Sequence, residues 1–167
     1  TKSVEVSESA FALVETKHSL RLSTGKIAYR AIAGDTELKD AKGNPQASIF
    51  STSYFRDDVK EPKARPIIFI FNGGPGSSSV WLHLGVFGPK IVQIPSDAQA
   101  VPAAPYILKE NVLTMLDIAD MVFIDPVGTG YSKAIGEYEG KDFWGVRQDA
   151  VITVSYTHSK LQANDHG

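Results

Sequence analysis

The sequence predicts an α/β fold: an antiparallel meander followed by parallel strands with helices. Three observations carry that expectation. Ile67 to Phe71 is an unbroken apolar run bounded by Pro66 and by Gly73-Gly74, which reads as a strand buried on both faces. Met121 to Ile124 is a second such run, ended by Asp125-Pro126. Before both, residues 18–55 hold segments that alternate apolar with polar residues or are rich in Ser, Thr and aromatics, the pattern of half-buried antiparallel strands.

Taken in order, residues 1–17 read as an amino-terminal arm without a sharp pattern. His18 to Leu22 alternates, with Leu20 and Leu22 on one side. Thr24-Gly25-Lys26 turns the chain, and Ile27 to Ile32 continues as a strand. Thr36 to Asp40 and Gly43-Asn44-Pro45 read as a polar connection, and Ala47 to Phe55 as the next strand. A charged loop, Asp57 to Arg65, leads into the first buried strand. Ser77-Ser78-Ser79 then offers a choice of helix N-cap, and Val80, Trp81, Leu84 and Phe87 lie at helical spacing until Gly88-Pro89 stops the helix. Residues 90–95 read as a short strand, and 95–106, with Pro95, Pro102 and Pro105, as a loop. Beyond the second buried strand, Gly128-Thr-Gly130 is a turn. Asp142 is placed to cap an amphipathic helix that starts with Phe143 and Val146. From Val151 the residues are largely β-branched, which withdraws support from that helix.

Composition removes several function classes. The chain has 167 residues, enough for one domain with a core, and a net charge of −2, which implies neither a nucleic-acid tail nor a polybasic membrane patch. There is no cysteine, so no disulfide, thiolate metal site or cysteine nucleophile can form. No run of about 18 apolar residues is present, so no transmembrane helix is expected. The chain starts at Thr1 rather than Met, which fits a signal peptide cut off or left out.

The chemistry-bearing stretch is Asn72-Gly-Gly-Pro-Gly76, a sharp turn between a strand and a helix. That geometry aims backbone N–H groups at one spot outside the sheet, a place for negative charge. Two readings stand beside each other: a tight turn with no chemistry, and an oxyanion hole, whose fixed donors are worth about 3–4 kcal/mol of barrier in acyl transfer. A phosphate loop is a poor fit, because no lysine stands among Ser77, Ser78 and Ser79. A dinucleotide reading of Gly128-Thr-Gly130-Tyr-Ser-Lys-Ala134 is also poor. Pro126 sits in its turn, and the residue about 20 positions on, near Asp149, falls in a helix rather than at a strand end. The four histidines, His18, His83, His158 and His166, show no zinc-ligand spacing, so neither a metal nor a cofactor is expected. His18 and His83 read as surface or rim residues, and Trp81 and Trp144 as core or rim aromatics. Asp125 ends a strand, with no histidine that sequence alone assigns to it. No G-x-S-x-G nucleophile elbow occurs, and Ser132 lies in a different frame.

Phe71-Asn-Gly-Gly-Pro-Gly-Ser-Ser-Ser79, then Gly88-Pro89, then Val122-Phe-Ile-Asp-Pro-Val-Gly-Thr-Gly-Tyr-Ser132 resembles the serine carboxypeptidase family. Asp142-Phe-Trp-Gly145 resembles its bacterial members. The resemblance runs from about residue 18 to 150 and implies the amino-terminal part of an α/β-hydrolase sheet. It also implies a serine-type carboxypeptidase that releases C-terminal residues from peptides through an acyl-enzyme, at an extracytoplasmic site and with no cofactor. A related hydrolase or acyltransferase on the same scaffold, or a non-catalytic peptide-binding module, is the alternative. By position, Gly74 would donate its N–H to the oxyanion, while Asn72 and the N–H of Gly73 would hold the substrate's C-terminal carboxylate. Such a site implies peptide partners with a free C-terminus. In this family an acid from the nucleophile segment shares that task, which favours work at acidic pH. Two departures from the family pattern stand out: Ser77 replaces its usual cysteine, and Asp125 runs directly into Pro126 without an intervening glutamine.

The family's G-E-S-Y-G nucleophile segment and the later aspartate and histidine are not in this sequence. The expectation is therefore an amino-terminal portion, residues 18–150, inactive alone, followed by a divergent tail at 151–167. A frame change or non-native junction in the coding DNA accounts for such a tail; a divergent native ending is the alternative. The strand that would flank Ile67 to Phe71 on its second side is also absent, so one apolar edge should stand open and favour self-association.

Overall fold

The computed structural model describes residues 13–40, 42–73, 76–93 and 105–143. Three strands open the fold: β1 (Val14–Leu22), β2 (Gly25–Lys39) and β3 (Pro45–Arg56). They pair in succession as an antiparallel meander, with Leu20 opposite Ile27 and Gly34 opposite Ser51. Two strands follow that are parallel to each other, β4 (Ile67–Phe71) and, after a long excursion, β7 (Asp120–Ile124). The sheet runs β1-β2-β3-β7-β4, with the two-residue β8 (Lys133–Ala134) beside β3. The excursion carries its own small ladder, β5 (Lys90–Val92) against β6 (Leu108–Glu110). The architecture expected from the sequence is thus present among the described residues: an antiparallel start joined to a parallel pair.

β7 is the centre of the molecule. All five of its residues are buried, and its alternation feeds two cores. Met121 and Phe123 join Leu20, Leu22, Ile27, Tyr29, Ile70 and Leu116 on one face. Val122 and Ile124 join Leu38, Ala47, Ile49, Val127 and Phe143 on the other. A strand covered on both faces has no need of polar residues, which is why Met-Val-Phe-Ile is continuous.

β4 departs from expectation. Only Ile70 is fully buried; Ile67 to Phe69 are half-buried, and Phe71 is 48 % exposed. Its ladder partner is β7, and among the described residues no strand pairs with its other edge.

β2 is longer than its apolar pattern. The stretch Thr36 to Lys39, expected as a connection, continues the strand, because Glu37 and Leu38 find register with Ser48 and Ala47 and Leu38 enters the second core. The turn proper is Asp40 to Asn44. There the Asp40 carboxylate accepts the N–H groups of Lys42 and Asn44, 2.8 Å each, the local bonding that favours Asp in turns. These bonds and the Tyr138 hydroxyl hold its carboxyl down at about 2.

The helix after β4 is also modified. Val80–Leu82 begins as α-helix, with His83 N–H on the Ser79 carbonyl, then widens into a π-type turn over His83–Phe87 closed by Gly88 N–H on the His83 carbonyl, 2.9 Å. Leu82 and Phe87 pack on the first core, whereas Val80 and Trp81 point to solvent, Trp81 being 66 % exposed. A buried Asn111 closes the widened turn, donating through its Nδ2 to the carbonyls of Val86 and Gly88 at 2.8 and 2.9 Å. Asp142 lies in a single helical turn, Gly140–Phe143, where its carboxylate accepts the Glu139 N–H. The helix expected beyond it, Trp144, the 95–104 loop and the tail lie outside the described residues.

Candidate active site: the turn at the end of β4

The turn leaves the carboxyl end of β4 at the level of Ile124 in β7, since Phe71 pairs with Ile124. In parallel sheets this end is where ligands bind. Asn72 is half-buried and Gly73 exposed; Gly74 and Pro75 lie outside the described residues. A Cβ placed on Gly73 would meet nothing within 4 Å, so its backbone faces open space and is free to be approached. Gly76 has φ of 96°, a conformation that favours glycine and reverses the chain before the serines. The structure thus brings Asn72 and Gly73 to one place, at a strand end and with an accessible backbone.

Ser79 does not cap the helix as the sequence suggested. It already has helical dihedrals, and its side chain makes no cap bond. Instead its N–H and its hydroxyl both donate to Oδ1 of Asp125, 2.8 Å each, in a buried setting. Asp125 is the residue directly after β7, so the glycine turn is pinned at both ends to that strand. Sequence reasoning marked Asp125 as a strand end but left its partner open; a separation of 46 positions along the chain hides the pair.

His83 is half-buried, at the rim of the first core. Its ring stacks on Phe123 with centroids 4.5 Å apart, and its Nε2 shares a 2.6 Å hydrogen bond with the Tyr54 hydroxyl. Burial pulls its pKa from the ordinary 6.5 down to about 4, against the opposing charge of Asp125. The imidazole is therefore neutral at physiological pH. Burial likewise raises the pKa of Tyr54 well above its ordinary value, with a smaller contribution from Tyr29. The signal missed in the sequence is that His83 and Phe87 are i and i+4 on a segment that packs against Phe123. His18, on β1, stacks on Tyr29 at 5.3 Å and hydrogen-bonds Thr16.

Tyr131, beside Gly130, packs its ring on Phe50 with centroids 5.0 Å apart and remains largely exposed. A polar groove between Asp40, Lys42, Asn44, Glu137, Tyr138 and Asp142 shares no residue with the glycine turn.

The profile of the serine carboxypeptidase family matches residues 41–147, well over half of the chain and inclusive of both glycine motifs. The chain belongs to the serine carboxypeptidase family. It is 31% identical over 99 residues to serine carboxypeptidase-like 36 of Arabidopsis thaliana, which covers 59% of this chain and 19% of that protein. It is 31% identical over 121 residues to serine carboxypeptidase-like 38 of the same plant, which covers 70% and 22%. The chain thus spans about a fifth of the length of these curated relatives. Among solved structures, it is similar to Kex1Δp, a prohormone-processing carboxypeptidase from Saccharomyces cerevisiae, with 30% identity and a TM-score of 0.48 over 61% of this chain and 20% of that one. None of these relatives is bacterial, so they lend no support to a bacterial affinity. No helix among the described residues is long and apolar enough to cross a membrane.

Proposed function

We propose that the chain forms the carboxylate-reading and oxyanion-binding portion of a serine-type carboxypeptidase that releases C-terminal residues from peptides. The observation that carries this reading is the exposed Gly73 backbone beside Asn72, at the carboxyl end of a parallel strand, in a member of this family. An exopeptidase must recognise a free carboxylate, and a neutral amide with adjacent backbone donors suits that charge. In this reading Asn72 and the Gly73 N–H bind the substrate's carboxylate and the Gly74 N–H donates to the developing oxyanion. A serine beyond residue 150 forms the acyl-enzyme, with its aspartate and histidine partners. No metal or cofactor takes part in this scheme.

The test uses the full-length protein and a pair of peptides that differ only in a free or amidated C-terminus, with products read by mass spectrometry. Release of the last residue from the acid, and at least about tenfold less from the amide, is expected, since hydrogen bonds to a charged group are worth about 1.5–3 kcal/mol. Equal turnover of both would point to another hydrolase or acyltransferase on this scaffold. Binding of the peptide acid without turnover would point to a peptide-binding module.

A further inference from the structure

The glycine turn is held by more than its own sequence. At its start, Phe71 is in register with Ile124. At its end, Ser79 gives both its N–H and its hydroxyl to Asp125 Oδ1, 2.8 Å each. Phe71 and Ser79, on either side of the turn, are therefore anchored to two consecutive residues, Ile124 and Asp125, at the end of the most buried strand. Asp125 itself is only 6 % exposed.

The rest of the carboxylate is fixed from the opposite side. A Cβ on Gly130, whose φ is 52°, would stand 1.9 Å from Asp125 Oδ2 and 3.2 Å from the Ser78 Cβ. Glycine at 130 is thus the slot that admits the carboxylate. The turn containing it is closed internally: Thr129 Oγ1 donates to the Pro126 carbonyl at 2.8 Å, Ser132 N–H to the Thr129 carbonyl at 2.9 Å, and Gly128 N–H to the Ser132 carbonyl at 3.1 Å. Ser132 Oγ then accepts the Phe50 N–H at 2.8 Å, which fastens this turn to β3. A buried carboxylate that receives two hydrogen bonds is strongly oriented. Its two donors belong to the residue that ends the functional turn.

We propose that Asp125 is the positioning residue of the glycine turn, clamping its far end through Ser79, with Gly130 as the slot that makes the clamp possible. The proposal rests on the carboxypeptidase reading of that turn. It separates two duties. Asn72 follows directly on the β4 ladder and keeps its place without the clamp. Donors further along the turn depend on the far anchor. Loss of Asp125 therefore weakens stabilisation of the transition state more than binding of the carboxylate.

The experiment compares Asp125→Ala, Asp125→Asn and Ser79→Ala in the full-length protein. In Asp125→Ala, kcat falls about 100-fold, the size of losing one oxyanion donor, while KM stays within about threefold. In Asp125→Asn the amide oxygen still accepts both Ser79 donors, so kcat remains within about fivefold of wild type. Ser79→Ala keeps the N–H bond and loses about tenfold, and it serves in place of Asp125→Ala should that variant fail to fold. Hydrogen exchange provides a readout independent of turnover: the amides of 76–79 exchange at least about tenfold faster in Asp125→Ala, with β7 unchanged. A drop in kcat below threefold, a loss confined to KM, no rescue by asparagine, or unchanged exchange at 76–79 would each overturn the proposal. Faster exchange in the variant, with a wild-type protein that releases no C-terminal residue, would leave the clamp standing and remove the carboxypeptidase reading.

Discussion

His83 makes the stability of this segment depend on pH in a calculable way. Folding stacks the ring on Phe123 and sets its Nε2 against the Tyr54 hydroxyl, with Tyr29 beyond Tyr54 and the Asp125 carboxylate as the nearby charge. Burial dominates, so the folded pKa is about 4 against 6.5 when unfolded. Between those values the unfolded chain binds a proton that the native chain refuses. Stability from this group is therefore complete above about pH 6.5 and is lost as the pH falls toward 4. At pH 4.5 the two-pKa expression gives a loss of about 2.5 kcal/mol, roughly a 70-fold change in the folding equilibrium. The assay is urea unfolding of wild type and His83→Gln at pH 7 and pH 4.5, so that the other titrating groups cancel in the difference. Wild type should lose on the order of 2 kcal/mol more than the variant over that interval. A difference under about 0.5 kcal/mol would show that the imidazole is not held neutral by its site. An NMR titration of the His83 ring gives the folded pKa directly.

Other expectations follow from single contacts. Asp120 accepts Arg65 Nε at 3.0 Å with both side chains largely buried, so Arg65→Met leaves the carboxylate without its counter-charge, held by the Arg56 N–H, and costs about 3 kcal/mol, part of which Asp120→Asn restores in the double variant; urea midpoints read both. Gly130→Ala forces a side chain into a φ of 52° and onto Asp125 Oδ2, for a loss of at least about 2 kcal/mol by thermal unfolding. The 167-residue chain expressed alone should self-associate through the open edge of β4; a monomer in sedimentation with a sharp cooperative transition counts against that.

What the sequence made legible was whatever depends on neighbours in the chain. Met121 to Ile124 has no polar residue to place, so it announced a strand covered twice. Leu20 and Leu22 announced a face by alternation. The end of β2 was hidden because Asp35, Thr36, Glu37 and Lys39 are polar; only pairing with β3 makes them a strand. The same apolar spacing serves an α-helix and a π-widened one, so the widening over His83–Phe87 could not be read. At the site, Asn72 and Gly73 were legible because a glycine turn leaves a mark in composition. The Ser79–Asp125 bond and the Tyr54–His83 contact were not, because each joins segments brought together only by the β3-β7-β4 order. Family resemblance is what the proposed roles rest on, since spacing alone left the choice open between a bare turn and an oxyanion hole.

The most direct test of the central claim is the steady-state kinetics of Asn72→Ala in the full-length protein on a peptide with a free C-terminus. If Asn72 reads the carboxylate, KM rises about 10- to 100-fold, and the preference for the acid over the amide collapses by the same factor. An unchanged KM, with that preference intact, would contradict the assignment of the glycine turn to substrate recognition.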